Sequence, residues 1–487
     1  MCRPIGVIVA TVGGVALLAA CGGSSSGPTG PSGPPIVTLV NGATLPSGTI
    51  GATVVIQGSN FGGSQSIGSG HVVFSTTAGG RDTATISSAG DWTNLLIVTT
   101  VPSGMPLGTD TLFVETSGGT SAAVIFTVVA KVAFSPSTVS WTSTTALPVG
   151  LSGHAVAAAT LPGITPTSVV FVAGGADSTN APRDSVLYAT VSNTGTLGAW
   201  TKTTVLPAAV AFAAGVVATP ENSSVTGTSY LYVLGGDSTA SGKPVATVYR
   251  GTLSATGAVT GWSPTTPLPA AVHSLGAVIF NGTVYVAGGS GSGNAPVATV
   301  YRAAIQSDGT LGAWQALTSL PFARSYFGFG INGTFLYAVG GDSGVVTPND
   351  SSLSAKSISD VVYAEIDVHT GNLTAAGWTT GATKLIKAVS KLTAVMASGN
   401  VLVSGGLYNG ATTGATEESY AGLNADGSTT SFSGATGSHT IASVGGGDFF
   451  NHAAVGYLDA TGAFHVLVVG GDDVNTPTKK HKGAFYY

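Results

Sequence analysis

Charge is scarce in this chain: only 8% of its 487 residues are charged, 16 Lys and Arg against 21 Asp and Glu. A formal charge of −5 offers no basic field to nucleic acid, and no cationic cluster exceeds Lys479-Lys480-His481-Lys482. Cysteine is scarcer still. The two present, Cys2 and Cys21, stand near the N-terminus, which excludes a disulfide framework for the rest of the chain. The eight histidines are scattered, with no H-x-H or H-x-x-x-H pair and no D-x-D-x-D-G loop, so no metal site is expected. Beyond the first twenty residues no apolar run is long enough to span a bilayer as a helix. What is abundant is glycine, 72 residues, and a 43% hydrophobic content arranged in short valine-rich runs. That combination excludes disorder and points to packed β-structure.

Residues 1–20 read as an export signal, with Arg3 ahead of an apolar stretch from Ile5 to Ala20. The stretch ends at Leu18-Ala19-Ala20-Cys21, which resembles the lipobox of bacterial lipoproteins. The resemblance implies that Cys21 is acylated and becomes the mature N-terminus; the alternative is an ordinary signal peptide ending near a cysteine. Gly22 after the cysteine implies, by the same resemblance, an outer-membrane or cell-surface address. Residues 21–35 add a Gly/Ser/Pro tether that cannot bury anything, with a reach of about 20 Å as a flexible coil.

Residues 36–131 carry short alternating strands between Gly, Ser and Pro, the pattern of an Ig-like sandwich. The phrases Gly58-Ser59-Asn60-Phe61-Gly62, Trp92 through Pro102, and Gly108 through Ser121 resemble the IPT/TIG family over nearly the whole segment. Such modules serve as spacers, as interaction units, or beside catalytic domains of polysaccharide-active enzymes. Trp92 and His71 are open to two readings, a sugar-stacking surface or, for Trp92, a cap on the core; a spacer is the expected role.

After a linker at 132–140, residues 141–487 repeat one unit six times: an apolar strand, a double glycine, a tyrosine, a tight turn and an indole. The double glycines are Gly174-Gly175, Gly235-Gly236, Gly288-Gly289, Gly340-Gly341, Gly405-Gly406 and Gly470-Gly471. The indoles are Trp141, Trp200, Trp262, Trp314 and Trp378, with Phe432 in the sixth place. A strand-and-turn repeat of this length specifies a β-propeller, and the order GG, Tyr, Trp resembles the kelch repeat. Trp141 precedes the first double glycine while no indole follows the last, so the N-terminal strand is expected to complete the sixth blade and close the ring. Glycine at the end of strand two is expected to allow positive φ and close approach of the next blade.

The resemblance extends to the central domain of galactose oxidase, whose copper radical cofactor needs a tyrosine crosslinked to a cysteine. Residues 141–487 contain no cysteine, so that activity is not expected and no cofactor is assigned. Acid or base groups for sugar epimerisation or mutarotation would have to come from Glu221, Glu365, Glu417 or Glu418, with His154, His273, Arg324 and His452 near the starts of inner strands. These last four either converge on the axis or sit at strand ends bonded to loop carbonyls. Topology places the loops after the double glycines on one face, together with Asp177, Asp237, Asp342, Asp472 and Asp473. Either these aspartates only terminate turns or they face a ligand. Gly445-Gly446-Gly447 lacks the strand-to-helix context of a phosphate loop.

The sequence therefore implies an all-β, lipid-anchored envelope protein with an Ig-like sandwich and a six-bladed kelch-type propeller. The expected role is non-catalytic binding of a surface protein or glycan at the face bearing Asp177, Asp237, Asp342, Asp472, His273, Arg324 and His452. The alternatives are a carbohydrate-active epimerase or mutarotase and a structural envelope component.

Overall fold

A computed structural model describes residues 33–41, 46–63, 70–76, 79–129, 139–161, 167–219, 228–346, 356–397, 399–408, 418–434, 440–441, 449–459, 463–473, 476 and 479–487. The signal, Cys21, most of the tether, Glu221, Glu417 and Gly445-Gly446-Gly447 lie outside the described residues. Apart from two 3-10 turns, every described element is a strand.

The first unit has two sheets around one core. Ile36–Val40, Thr53–Ser59 and Leu96–Thr100 form one. In the other, Ser47–Thr49 runs parallel to Val124–Val129, and Gly108–Thr116, His71–Ser75 and Arg81–Thr83 follow antiparallel. Alternation explains the packing: Asp110, Leu112 and Val114 point inward from one strand while Thr109 and Thr111 point out. Trp92 is 1% exposed and donates its indole N–H to the Phe61 carbonyl at 2.8 Å, so it has no free face for a sugar ring. His71 is exposed.

The remaining chain forms six four-stranded antiparallel sheets in a propeller-like arrangement. Their innermost strands are Ala155–Leu161, Ala214–Ala218, Gly276–Phe280, Gly328–Asn332, Thr393–Ala397 and Ala453–Leu458. Each packs beside the next, and the last packs beside the first. The second strands, such as Tyr230–Leu234 and Phe335–Val339, are buried along most of their length, which is why they read as continuous apolar runs. The sixth sheet takes its outer strand from far upstream: Thr142 pairs with Tyr486 and Ser143 with Phe485.

The indoles act between sheets. Trp200 donates to the Thr145 carbonyl at 2.8 Å, Trp262 to Thr204 at 2.9 Å, Trp314 to Thr266 at 3.2 Å and Trp378 to Thr318 at 2.9 Å. These four are half-buried, so they hold neighbouring sheets as much by a directed bond as by buried area; Trp141 alone is fully inside, against Tyr487. Leu147, Leu206, Leu268 and Leu320 wedge between sheets, their following prolines exposed, and Leu385 fills the same role where the fifth junction lacks a proline.

Candidate functional site at the axial mouth

Two sets of main-chain bonds build the centre of the molecule. In the first, the second glycine of each pair donates to a carbonyl just before the next inner strand: Gly175 to Val210, Gly236 to Val272, Gly289 to Arg324, Gly341 to Val389, Gly406 to Phe449 and Gly471 to Leu151, all at 2.8–3.1 Å. The last of these joins the sixth sheet to the first. Glycine is required because the backbones nearly touch: a Cβ on Gly174, at φ 65°, would stand 2.3 Å from the Val210 oxygen.

The second set encircles the axis. Phe212 donates to Gly153, Ser274 to Phe212, Tyr326 to Ser274, Lys391 to Tyr326, Asn451 to Lys391 and Gly153 to Asn451, at 2.5–3.3 Å, a closed ring of six main-chain bonds. Each member stands two residues before its inner strand, and each has φ between 51° and 57°. Left-handed backbone at Phe, Tyr and Lys costs about 1–2 kcal/mol per residue, so the ring holds local strain that its bonds and packing offset.

Side chains fill the mouth over this ring. Phe212 and Tyr326 meet edge-to-face at 6.0 Å, and His273 lies 6.4 Å from the first and 5.9 Å from the second. The Lys391 ammonium sits 5.3 Å from the Tyr326 and Phe450 ring centres. Val346, from the loop after the fourth double glycine, is buried in one cluster with Phe212, Tyr326, Ala176 and Ala211, which belong to three different sheets or their junctions. Inward from the ring runs a channel of about 200 Å³, lined at the next level by Ala155, Ala214, Gly276, Gly328, Thr393 and Ala453. The titratable side chains on its lining are His154, Tyr326, Lys391 and His452.

The aspartates expected on this face divide into two groups. Asp237, Asp342 and Asp472 directly follow a double glycine, pair with the residue before a ring member, and are at most 1% exposed. Burial pushes the Asp237 carboxyl up. The Gly344 N–H donates to Asp342 Oδ1 at 2.7 Å, whereas Oδ2 has no partner among the described residues. Asp472 forms a buried ion pair with Lys480 and accepts from Asn451 Nδ2 at 2.8 Å, and Lys480 also donates to Asn180 at 2.7 Å. Asp177 is one residue further out, on the rim, 3.4 Å from Arg183. These carboxylates therefore organise turns around the mouth; Asp177 and Asp473, with side chains 20% and 18% exposed, reach solvent.

Of the cationic candidates, His273 alone joins the mouth. Its Nε2 lies 2.9 Å from Asn294 Oδ1 and its Nδ1 3.0 Å from the Ser274 hydroxyl, and burial lowers its pKa, so a neutral ring donating to Asn294 and accepting from Ser274 fits both contacts. Arg324 turns away between sheets, its Nη1 donating to the carbonyls of Ala338 at 3.3 Å and Gly340 at 3.1 Å; burial lowers it to about 10. His154 and His452 wedge against the first glycines of the sixth and fifth pairs, Gly470 and Gly405. Burial lowers them to about 4 and about 3, and His154 further depresses His452. His154 and His452 thus come together on the lining of the channel, while His273 stands at the mouth and Arg324 lies between sheets.

Glu418 is buried between the fifth and sixth sheets, remote from the channel lining, with Oε1 accepting from Ile441 N–H at 2.9 Å and its pKa raised by burial to about 8. Glu365 is exposed. Sequence reasoning missed Phe212, Tyr326, Lys391 and Asn451, because these positions share a backbone conformation and not a residue type. The signal was the register: one residue, two before each inner strand, in all six units.

No family model matches the chain, and no curated protein matches it. Among solved structures it is similar to one titled "Structure of YjhT". That likeness has 12% identity and a TM-score of 0.48, and covers 70% of this chain and 95% of the other. The fold described here rests on the six sheets and their bonds, not on that likeness.

Proposed function

We propose that the protein is an exported lipoprotein, anchored through Cys21, whose IPT/TIG-like Ig sandwich (36–131) carries a six-bladed kelch-type propeller (141–487) as a non-catalytic binder of a surface protein or glycan. The observation that carries the binding role is the distribution of exposed apolar side chains. Val149, Val205, Phe322, Val345 and Ile386, exposed by 36–69%, all lie in segments that leave strand four or follow a double glycine, and therefore on the face above the ring. Exposed apolar groups around a rigid, strained centre mark an interaction surface better than a reaction site. The buried aspartates and His273 support this reading as the scaffold that fixes these segments.

The test is a panel of cell-surface proteins and glycans immobilised against the soluble fragment from Pro35 onward. Val205→Asp and Val345→Asp, both at exposed positions, should leave the melting temperature within a degree or two and weaken a panel ligand at least tenfold. Undiminished binding in both variants, with loss instead on changing Asn193 or Asp308 in the opposite turns, would refute the choice of face.

A further inference from the structure

The inner strands run from the ring to the end of the molecule opposite the mouth, and there the first unit lies against them. The two share a cavity of about 330 Å³. One wall comes from four sheets: Ile279 and Phe280 of the third, Ile331 of the fourth, Met396 of the fifth, and Leu458 and Phe464 of the sixth. The other comes from the first unit, with Asn41, Thr49 and Thr53. A bond beside the cavity ties the two together, His369 donating its Nε2–H to the Gly90 carbonyl at 2.9 Å.

The chemistry of the lining restricts what fits. The six apolar side chains are half-buried, so the core does not use them fully. Water finds few partners on such a wall, and an ordered water needs about two to four. Asn332 and Thr334, from the fourth sheet's turn, add polar groups to those of the first unit. No charged side chain stands on the described lining, so a charged ligand would lose its hydration there without a counter-ion. An adjoining cleft shares Thr53 and Thr334 with the cavity and carries Asp91, Glu365, Asp367 and His369, an acidic approach that repels anions. The volume falls at the lower end of the roughly 300–1,000 Å³ of small-molecule sites, which favour the boundary between two folded units.

We propose that this cavity binds a neutral small molecule with a compact apolar body and one or two hydrogen-bonding groups. The body lies against Phe280, Ile331, Met396 and Phe464, and the polar groups meet Thr53 and Thr334 at the side facing the cleft. The site is separate from the face above the ring, and it makes the first unit a wall of a binding site as well as a spacer.

Two fluorescent dyes test this on the full chain: N-phenylnaphthylamine, which is neutral, and anilinonaphthalene sulfonate, the same skeleton with an anionic group. The neutral dye should bind saturably at one equivalent, and the sulfonate at least tenfold more weakly. Leu458→Trp and Thr53→Trp each put an indole into one wall, and each should weaken the neutral dye at least tenfold. Melting temperatures separate a filled cavity from an unfolded chain, and the comparison of the two dyes on the wild-type protein stands without either variant. Uptake of neither dye, equal affinity for both, or undiminished neutral-dye binding in a variant that melts with the wild type would overturn the site.

Discussion

Acid should open this protein from the sixth sheet, because two neutral histidines are buried there in places where other sheets use apolar residues. His154 and His452 occupy the position that Ala213, Leu275, Phe327 and Leu392 fill elsewhere, one residue after each ring member. Their folded pKa values of about 4 and about 3 lie below the 6.5 of an exposed histidine. The unfolded chain therefore binds more protons, and their contribution, complete above pH 6.5, is lost as the pH falls toward the folded values. Two protons give a slope of about 2.7 kcal/mol per pH unit, or about 4 kcal/mol lost by pH 5, a large part of a stability of ~5–15 kcal/mol. Glu418 acts oppositely: with its folded pKa raised to about 8, it removes about 1.4 kcal/mol per unit as the pH rises from 4.5 to 8. The sum is a stability maximum near pH 6.5, falling on both sides. His273 and His481, also lowered by burial, add to the acid limb, and Asp237, pushed up by burial, opposes it, because its contribution falls as the pH rises just above the ordinary carboxylate range. Urea midpoints across pH 4.5–8.5 measure this profile. His154→Leu with His452→Leu borrows the residue of the third and fifth sheets. It leaves Thr393 and Ser404 bonded to each other at 3.1 Å, and should flatten the acid limb. An acid slope as steep in the double variant as in the wild type would refute the reasoning.

Glu418→Gln should raise stability at pH 8 by about 4–5 kcal/mol and change it little at pH 4.5, as read from urea midpoints, because Gln keeps the Ile441 contact and cannot ionise. Gly174→Ala should lower the melting temperature sharply by pressing a methyl group into the Val210 carbonyl, whereas Gly261→Ala, where a Cβ meets nothing within 4 Å, should not.

Much of this architecture was written in the sequence. The double glycines marked every junction because only glycine allows two backbones to approach so closely with positive φ. Trp141 marked the closing strand because an indole ahead of the first repeat had no other sheet to complete. The mouth was less legible. Asp237, Asp342 and Asp472 stand where a surface loop was expected to begin, yet short bridges to the neighbouring strand bury them. Arg324 takes the place held by Val210, Val272 and Val389, a position whose side chain lies between sheets whatever its charge. Phe212, Tyr326, Lys391 and Asn451 share no chemistry, so a pattern based on residue type could not collect them. Nor could local sequence show that Val346 reaches a cluster shared with Ala176 and Phe212.

The central claim is a ring of six sheets whose ends meet in the sixth, and a disulfide across that seam tests it most directly. Thr142 and Tyr486 are register partners, and residues 141–487 contain no native cysteine to compete. Thr142→Cys with Tyr486→Cys should oxidise to an intramolecular bond in the folded protein and raise the urea midpoint, since it ties a loop of over 300 residues. Free thiols that persist under oxidation, in a variant that is otherwise folded, would contradict the closure.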